Sequence, residues 1–342
     1  MNLVRTTSTK DYILNKCNFF LWILFVSFLW SCNSPVNKPV EEALPQAFVQ
    51  ESPTFNTDSA YLYITKQLSY GPRVPGSIAH ATCANYFTDK LKSYNLKVIQ
   101  NGSSATTFDG KTFKIKNIIA SFNPEAKTRI LLLTHWDSRP FADEDISDTN
   151  KPIDGADDGA SGSAVLLEIA RQISNSKLDI GVDFFFSDLE DYGQPNDSQL
   201  PKMQDSWCLG TQYWAANPHV PNYTAKYGIL LDMVGAANAI FPKEGTSLYY
   251  AAGVQENVWQ LASQMGFANR FINAELGQTT DDHLYVNKNA NIPCIDIVHM
   301  SPETGTYGTH HHKHSDNISI IDKSTLKMVG QVVMEVLWRE GK

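Results

Sequence analysis

DFFFSDLEDYG, residues 183–193, runs three consecutive phenylalanines straight into Asp188, Glu190 and Asp191. An apolar run of strand length belongs in a core, whereas carboxylates buried without partners are costly. The stretch therefore reads as a buried strand whose end meets either solvent or a positive group. Other runs end in the same way. RILLLTHWD (129–137) ends in His135 and Asp137, YGILLDMVG (227–235) ends in Asp232, and IPCIDIVHM (292–300) leads into the histidine-rich GTHHHKHSDN (308–317).

Between these runs the pattern alternates. Strands are expected over 114–121, 129–134, 182–186, 227–231, 247–250 and 293–298, and helical apolar spacing marks 77–94, 159–174, 205–216, 255–265 and 323–338. This is an α/β pattern, a mostly parallel sheet covered by helices on both faces. Ligands of such sheets gather beyond the carboxyl ends of the strands, which is where the acids and imidazoles fall.

At 342 residues with 42% hydrophobic and 19% charged residues, the chain has the composition of a globular protein with ample core. A formal net charge of −8 with no basic block speaks against nucleic acid as a partner. Arg5, Lys10 and Lys16 precede the apolar run Phe19 to Trp30, the order of a secretory signal. Leu29-Trp30-Ser31-Cys32 resembles a bacterial lipoprotein box, with an uncleaved anchor or an unlipidated signal as alternatives. The expected organisation is a signal over 1–32, a polar, proline-rich tether over 33–57 and a single catalytic domain over 58–342, exported to a bacterial periplasm and held by the lipid. Beyond the signal, Cys83, Cys208 and Cys294 are too scattered for a thiolate metal site and read as core or as one optional bridge.

A divalent cation at the sheet edge would let several strands end in carboxylates. Zinc is the natural choice, since it accepts imidazole and carboxylate together while keeping a position open; iron and manganese are alternatives. DGADDGASG (154–162) adds a glycine-flanked acid pair before an apolar helix, which read alone is an N-cap. In DLED (188–191), adjacent Glu190 and Asp191 on a sharp turn can divide the labour, one on metal and one on substrate. Read alone, that loop and the histidine run are solvated surface.

In this order, HWD, GADDGASG, DLED, LLDMVG and H-x-x-x-D resemble the zinc aminopeptidase superfamily, which includes the animal-type glutaminyl-peptide cyclotransferases. LLDMVGAANAIFP (230–242), QTTDDH (278–283), DSWCLGTQYW (205–214) and HHKHSDN (311–317) resemble the cyclotransferase branch. The resemblance implies a three-layer α/β/α sandwich around a mixed, mostly parallel sheet. It implies one catalytic zinc on Asp158, Asp191 and His312, with His310, His311 and His314 as rivals, and Glu190 as general acid/base. It further implies that Asp232 and Asp282 hydrogen-bond one another near the zinc, and that Trp207 contacts substrate. His135 is then a retained second-metal or neighbouring residue. The expected reaction turns N-terminal glutamine of peptides or proteins into pyroglutamate with release of ammonia. A two-zinc aminopeptidase using His135, Asp158, Asp191, Asp232 and His312 is the alternative, and a non-catalytic binding domain is a third reading.

Three positions depart from the family pattern: Asp191 where many relatives carry glutamate, His311 where animal relatives carry tryptophan, and Asp296 where they carry histidine. Elsewhere, His80, His219 and His299 read as structural or solvated, and Asp143, Glu144, Asp145 and Asp148 as a solvated acidic loop near the entrance.

Overall fold

The computed structural model describes residues 48–342. The expected signal and Cys32 lie outside the described residues. In chain order the elements begin with α1 (Thr57–Leu68), α2 (Ile78–Ser93), β1 (Lys97–Asn101), β2 (Ser104–Thr106), β3 (Thr112–Lys114), β4 (Asn117–Phe122) and β5 (Arg129–His135). There follow α3 (Ala160–Ile173), β6 (Gly181–Ser187), α4 (Leu209–Ala216), β7 (Tyr227–Asp232) and β8 (Phe241–Lys243). The last are α5 (Gly245–Gln264), β9 (Phe271–Glu275), α6 (Asp282–Ala290), β10 (Cys294–Val298) and α7 (Lys323–Glu340).

The main sheet has the order β1-β4-β6-β5-β7-β10. β6, β5, β7 and β10 pair in parallel, whereas β1 and β4 add an antiparallel edge. Side chains alternate across it as the strand period requires. Ile130, Leu132, Phe184 and Phe186 join one core with helices α1, α2, α3, α5 and α7. Leu131, Leu133 and Phe185 face the other way, toward Trp214 of α4 and Val286 of α6. Two helical layers thus enclose the sheet, as expected of an α/β/α sandwich.

After β5 the chain goes to β6 on one side and then to β7 on the other, so a crevice opens beyond the ends of these strands. His135 pairs with Ser187 in register, and Val298 with Asp232, which brings the strand ends to one rim.

Two expectations are corrected. Residues 247–250 are helical within α5, because the Glu244 carboxylate accepts the Thr246 and Ser247 backbone N–H groups at 2.6 and 2.7 Å and starts a helix there. The tether does not extend to residue 57. Glu335 of α7 accepts the Ser52 N–H at 2.9 Å, Gln331 accepts the Phe55 N–H at 2.8 Å, and the Phe55 ring is buried in the core. Among the described residues the three cysteines are free and buried, so the optional bridge is absent.

Candidate metal centre and active site

Each acid of the DLED turn has its own task. Asp188 is structural: it accepts from His80 Nε2 at 2.7 Å and from the Lys116 N–H at 2.6 Å, fully buried. Leu189 then adopts φ +55°, and this left-handed residue swings Glu190 and Asp191 back over the sheet rim. Asp137, at the end of the neighbouring strand, accepts both of their backbone N–H groups at 3.3 Å. Asp316 does the same for the other acidic loop, accepting the N–H of Asp157 at 2.7 Å and of Asp158 at 3.1 Å.

Asp158 does not cap α3. The capping position is Gly159 at φ +96°, where a Cβ would come within 2.6 Å of the Asp137 carbonyl and 3.0 Å of the His135 ring. The glycine allows the acidic loop to lie directly against the end of β5.

Three side chains that could hold a metal, Asp158, Asp191 and His312, come together. His312 Nε2 lies 3.2 Å from Asp191 Oδ1 and 4.0 Å from Asp158 Oδ2, and all three residues are buried. Such separations suit a tetrahedral ion with ligands at about 2.0–2.2 Å. Both carboxylate oxygens of Asp191 lack any hydrogen-bond donor although the residue is only 1% exposed, a cost that a cation between them and His312 removes. Burial and then Asp158 push the Asp191 carboxyl up to about 6. Burial opposes charging of His312, yet Asp191 and Asp143 raise it to about 9. The donor set is therefore short of positive charge, and it fits a divalent metal.

The rival histidines go elsewhere. His310 donates to Asp157 Oδ2 at 2.8 Å, His311 stacks between Tyr307 and His312 and meets Glu144 at 3.1 Å, and His314 lies 3.3 Å from the Asp148 carbonyl.

A second triangle shares Asp158. His135 Nε2 is 3.0 Å from Asp158 Oδ1 and 3.2 Å from Asp232 Oδ1, ordinary hydrogen-bond distances. Burial opposes protonation of His135, but Asp137, Asp158 and Asp232 raise it well above the usual imidazole range. A proton on Nε2 is held by Asp232, while Nδ1 is buried without a hydrogen-bond partner.

Glu190, 8% exposed, approaches the second triangle, its Oε2 3.9 Å from His135 Nδ1, with Cys208 Sγ 3.3 Å from its Oε1. Burial, reinforced by Asp281, pushes its carboxyl well above the usual range, although His135 pulls the other way. Trp207 is half-buried, its ring parallel to that of His312 within 11° at a centroid distance of 5.8 Å. Gly193 makes room for it, since a Cβ there would lie 1.8 Å from the indole.

The expected pair of Asp232 with Asp282 is not formed. Asp282 accepts from Ser187 Oγ beneath the rim, and its neighbour Asp281, which caps α6, faces the site. Oxygen, sulfur and oxygen of Glu190, Cys208 and Asp281 lie within 4.8 Å of one another. Asp281 also stands within 4.8 Å of Asp296 and His283, whose Nε2 meets Glu244 at 2.9 Å. Burial and then Asp281 drive Asp296 well above the carboxylate range, so the departure at this position places an acid rather than an imidazole behind the site. Sequence reasoning placed Asp137 at the strand end without giving it a task, and missed Asp281 and Cys208 as site residues. These last two sit beside Asp282 and Trp207, and only the backbone direction distinguishes them.

The sequence of residues 117–337 matches peptidase family M28. A glutaminyl-peptide cyclotransferase of Boiga dendrophila is 26% identical over 287 residues, covering 77% of this chain and 75% of the relative. Among solved structures, a glutaminyl cyclase of Bacteroides thetaiotaomicron bound to N-acetylhistamine superposes with a TM-score of 0.82 at 45% identity, covering 84% of this chain and 99% of that one. A structure described as a Zn-dependent exopeptidase from Parabacteroides distasonis superposes with a TM-score of 0.82 at 50% identity, with the same coverage of 84% and 99%. The family match runs from β4 into α7 and takes in every residue of both triangles, and the chain belongs to peptidase family M28.

Proposed function

We propose that the chain is a glutaminyl-peptide cyclotransferase that converts N-terminal glutamine of peptides and proteins to pyroglutamate with loss of ammonia. The observation that carries this reading is the asymmetry of the two triangles. Both buried oxygens of Asp191 lack a hydrogen-bond donor and call for an ion, whereas in the second triangle His135 Nε2 is already hydrogen-bonded to Asp232. One metal suits an intramolecular reaction that needs no water nucleophile. Relatives named as glutaminyl cyclases support the same assignment.

Asp158, Asp191 and His312 would hold one zinc ion, which when bound polarises the γ-carbonyl of the substrate glutamine and stabilises charge developing on its oxygen. Glu190 accepts a proton from the substrate α-amine as the new N–C bond forms. The same carboxyl returns that proton to the side-chain nitrogen as the C–N bond breaks and ammonia leaves. General acid/base catalysis of this kind contributes about 10² to 10⁴ in rate. Asp137 holds the Glu190 and Asp191 amides, which fixes where the carboxyl points. Trp207 supplies a flat apolar wall beside His312, against which the folded glutamine rotamer is held.

A two-zinc aminopeptidase is the second reading, favoured by the completeness of the second triangle and by the likeness to the exopeptidase structure. Purified protein offered a glutamine-initiated and a leucine-initiated dipeptide separates the two. Ammonia from the first and no free leucine from the second is expected; free leucine without ammonia would overturn the assignment. The basic residues before the apolar run 19–30, with Cys32 after it, support an exported, lipid-held periplasmic enzyme. Labelling by a lipid precursor that disappears in Cys32→Ala is the check.

A further inference from the structure

Arg139 is completely buried and, as a cation, binds no metal; its Nη1 lies 3.7 Å from Asp191 Oδ1. Its Nε and Nη2 donate to the two oxygens of Asp143, each at 2.7 Å. Nη1 donates to the carbonyl oxygens of Asp191 at 2.9 Å and Gly193 at 3.2 Å. The face of the guanidinium lies 4.5 Å over the Trp207 ring. Asp143 in turn approaches His312 Nδ1 to 3.4 Å with Oδ1. This acid reads from sequence as part of a solvated loop; its partners place it behind the metal centre.

One planar cation therefore touches the backbone of one metal-binding residue, the carboxylate that orients another, and the aromatic wall of the pocket. A histidine whose second nitrogen is held by a carboxylate presents its first nitrogen in one tautomer and one direction. Asp143 holds Nδ1, which leaves Nε2 aimed at Asp191 and Asp158. Asp143 is itself aimed by a bidentate pairing, a geometry that lysine, a single point donor, does not reproduce. Lysine also lacks the flat face on which Trp207 rests. His312 adopts φ +52°, so its backbone conformation alone is a poor guarantee of direction.

We propose that Arg139 and Asp143 are positioning residues that set the metal affinity of the Asp158, Asp191 and His312 site and, through Trp207, couple it to the seating of substrate. The metal half of this inference is independent of the reaction; the substrate half rests on the cyclotransferase reading.

The experiment uses the full mature chain and three variants, Asp143→Asn, Arg139→Lys and Arg139→Met. Zinc dissociation constants are measured by competition with a chromophoric chelator, alongside melting of the metal-free proteins. Steady-state kinetics at saturating zinc follow, with a glutamine-initiated dipeptide. Asp143→Asn is expected to weaken zinc binding about 10- to 100-fold, beyond what its lowered metal-free melting accounts for, and to regain kcat at saturating zinc. Arg139→Lys is expected to weaken zinc to a similar extent and also to raise KM several-fold at saturating zinc, because Trp207 loses its support. Should both Arg139 variants fail to fold, Asp143→Asn decides alone.

Zinc affinity within twofold of the unmodified protein in Asp143→Asn overturns the proposal, as does a loss of affinity that only tracks a loss of metal-free stability. An unmodified protein that binds zinc but releases no ammonia defeats the cyclotransferase reading instead, and the zinc titrations still decide the role of this pair.

Discussion

Cys208 Sγ lies 3.3 Å from Glu190 Oε1, and the Cys208 N–H donates to the Glu190 carbonyl at 3.0 Å. The thiol is a neutral donor here, since burial and then Glu190 push it well above its ordinary range. Glu190 is therefore held at both its backbone and its carboxyl. Glu190→Gln keeps this shape and removes the exchangeable proton site, so it should lower kcat at least about 10³-fold with zinc still bound. Single-turnover rates with parallel zinc analysis check this; near-normal turnover would remove Glu190 from its role. Cys208→Ala should cost less than tenfold, because it deletes one weak donor.

Asp281 and Asp282 divide in effect as they divide in space. Asp281 borders Glu190, so Asp281→Asn changes the charge felt by the carboxyl proposed to transfer the proton. It should cut kcat about 10²-fold with KM near its original value. Asp282 serves Ser187 beneath the rim, and Asp282→Asn should act mainly on stability. Kinetics and melting of both variants test the pair, and a larger kcat loss in Asp282→Asn would reverse this division.

His135 bears on how many ions the centre holds. Its Nε2 is hydrogen-bonded to Asp232 Oδ1 and lies 3.0 Å from Asp158 Oδ1, the oxygens that a second ion would use. Unmodified protein and His135→Gln should each retain one zinc per chain after dialysis, measured by atomic emission. Two ions falling to one in the variant would favour the aminopeptidase arrangement.

Glu244 ties the start of α5 to the region behind the site, accepting from Thr246, Ser247, Thr279 and His283. Although burial opposes it, the His283 bond and the backbone donors lower its pKa from 4.5 to about 2. A depressed carboxyl stabilises the fold fully above its unfolded pKa, and that contribution is lost as pH falls through the folded value. The window is pH 4.5 down to about 2, and the shift corresponds to about 3 kcal/mol at neutral pH. Glu244→Gln should lose roughly this amount at pH 7 and titrate less between pH 5 and 2, as read by urea unfolding at several pH values. Parallel pH curves for the two proteins would contradict the assignment.

Much of the centre was legible because chemistry and period coincide. Phe184 to Phe186 alternate between two cores, and the acids after them fall where a parallel sheet presents its ends. Asp158, Asp191 and His312 meet as the motif order implied. What escaped depended on single-residue direction or on distant partners. At the start of α6 Asp281 is the extended N-cap and Asp282 the first helical residue, a change of backbone direction that exchanges one acid for the other. TSLY (246–249) has strand-like residues, but Glu244 at the cap outweighs that preference. Asp143 sits in an acidic loop whose pattern suggests solvent; only the buried Arg139, four residues earlier, alters its meaning.

The stretch after residue 47 offers a test of where the folded body begins. Ser52 donates from both its N–H and its Oγ to Glu335, and Phe55 is 2% exposed against α7, where its ring packs on Gly330. Burying a phenylalanine side chain is worth about 1.5–3 kcal/mol by area, and truncating one inside a core costs about 3–5 kcal/mol once the cavity is counted. A chain starting at residue 48 should therefore melt several degrees above one starting at residue 57, and Phe55→Ala in the longer chain should abolish most of that difference. Glu335 would also lose its Glu51 and Ser52 donors in the shorter chain, leaving the buried carboxylate to Arg339. Equal melting temperatures for the two chains would mean that residues 48–56 only rest on α7, and that the tether ends where the composition first suggested.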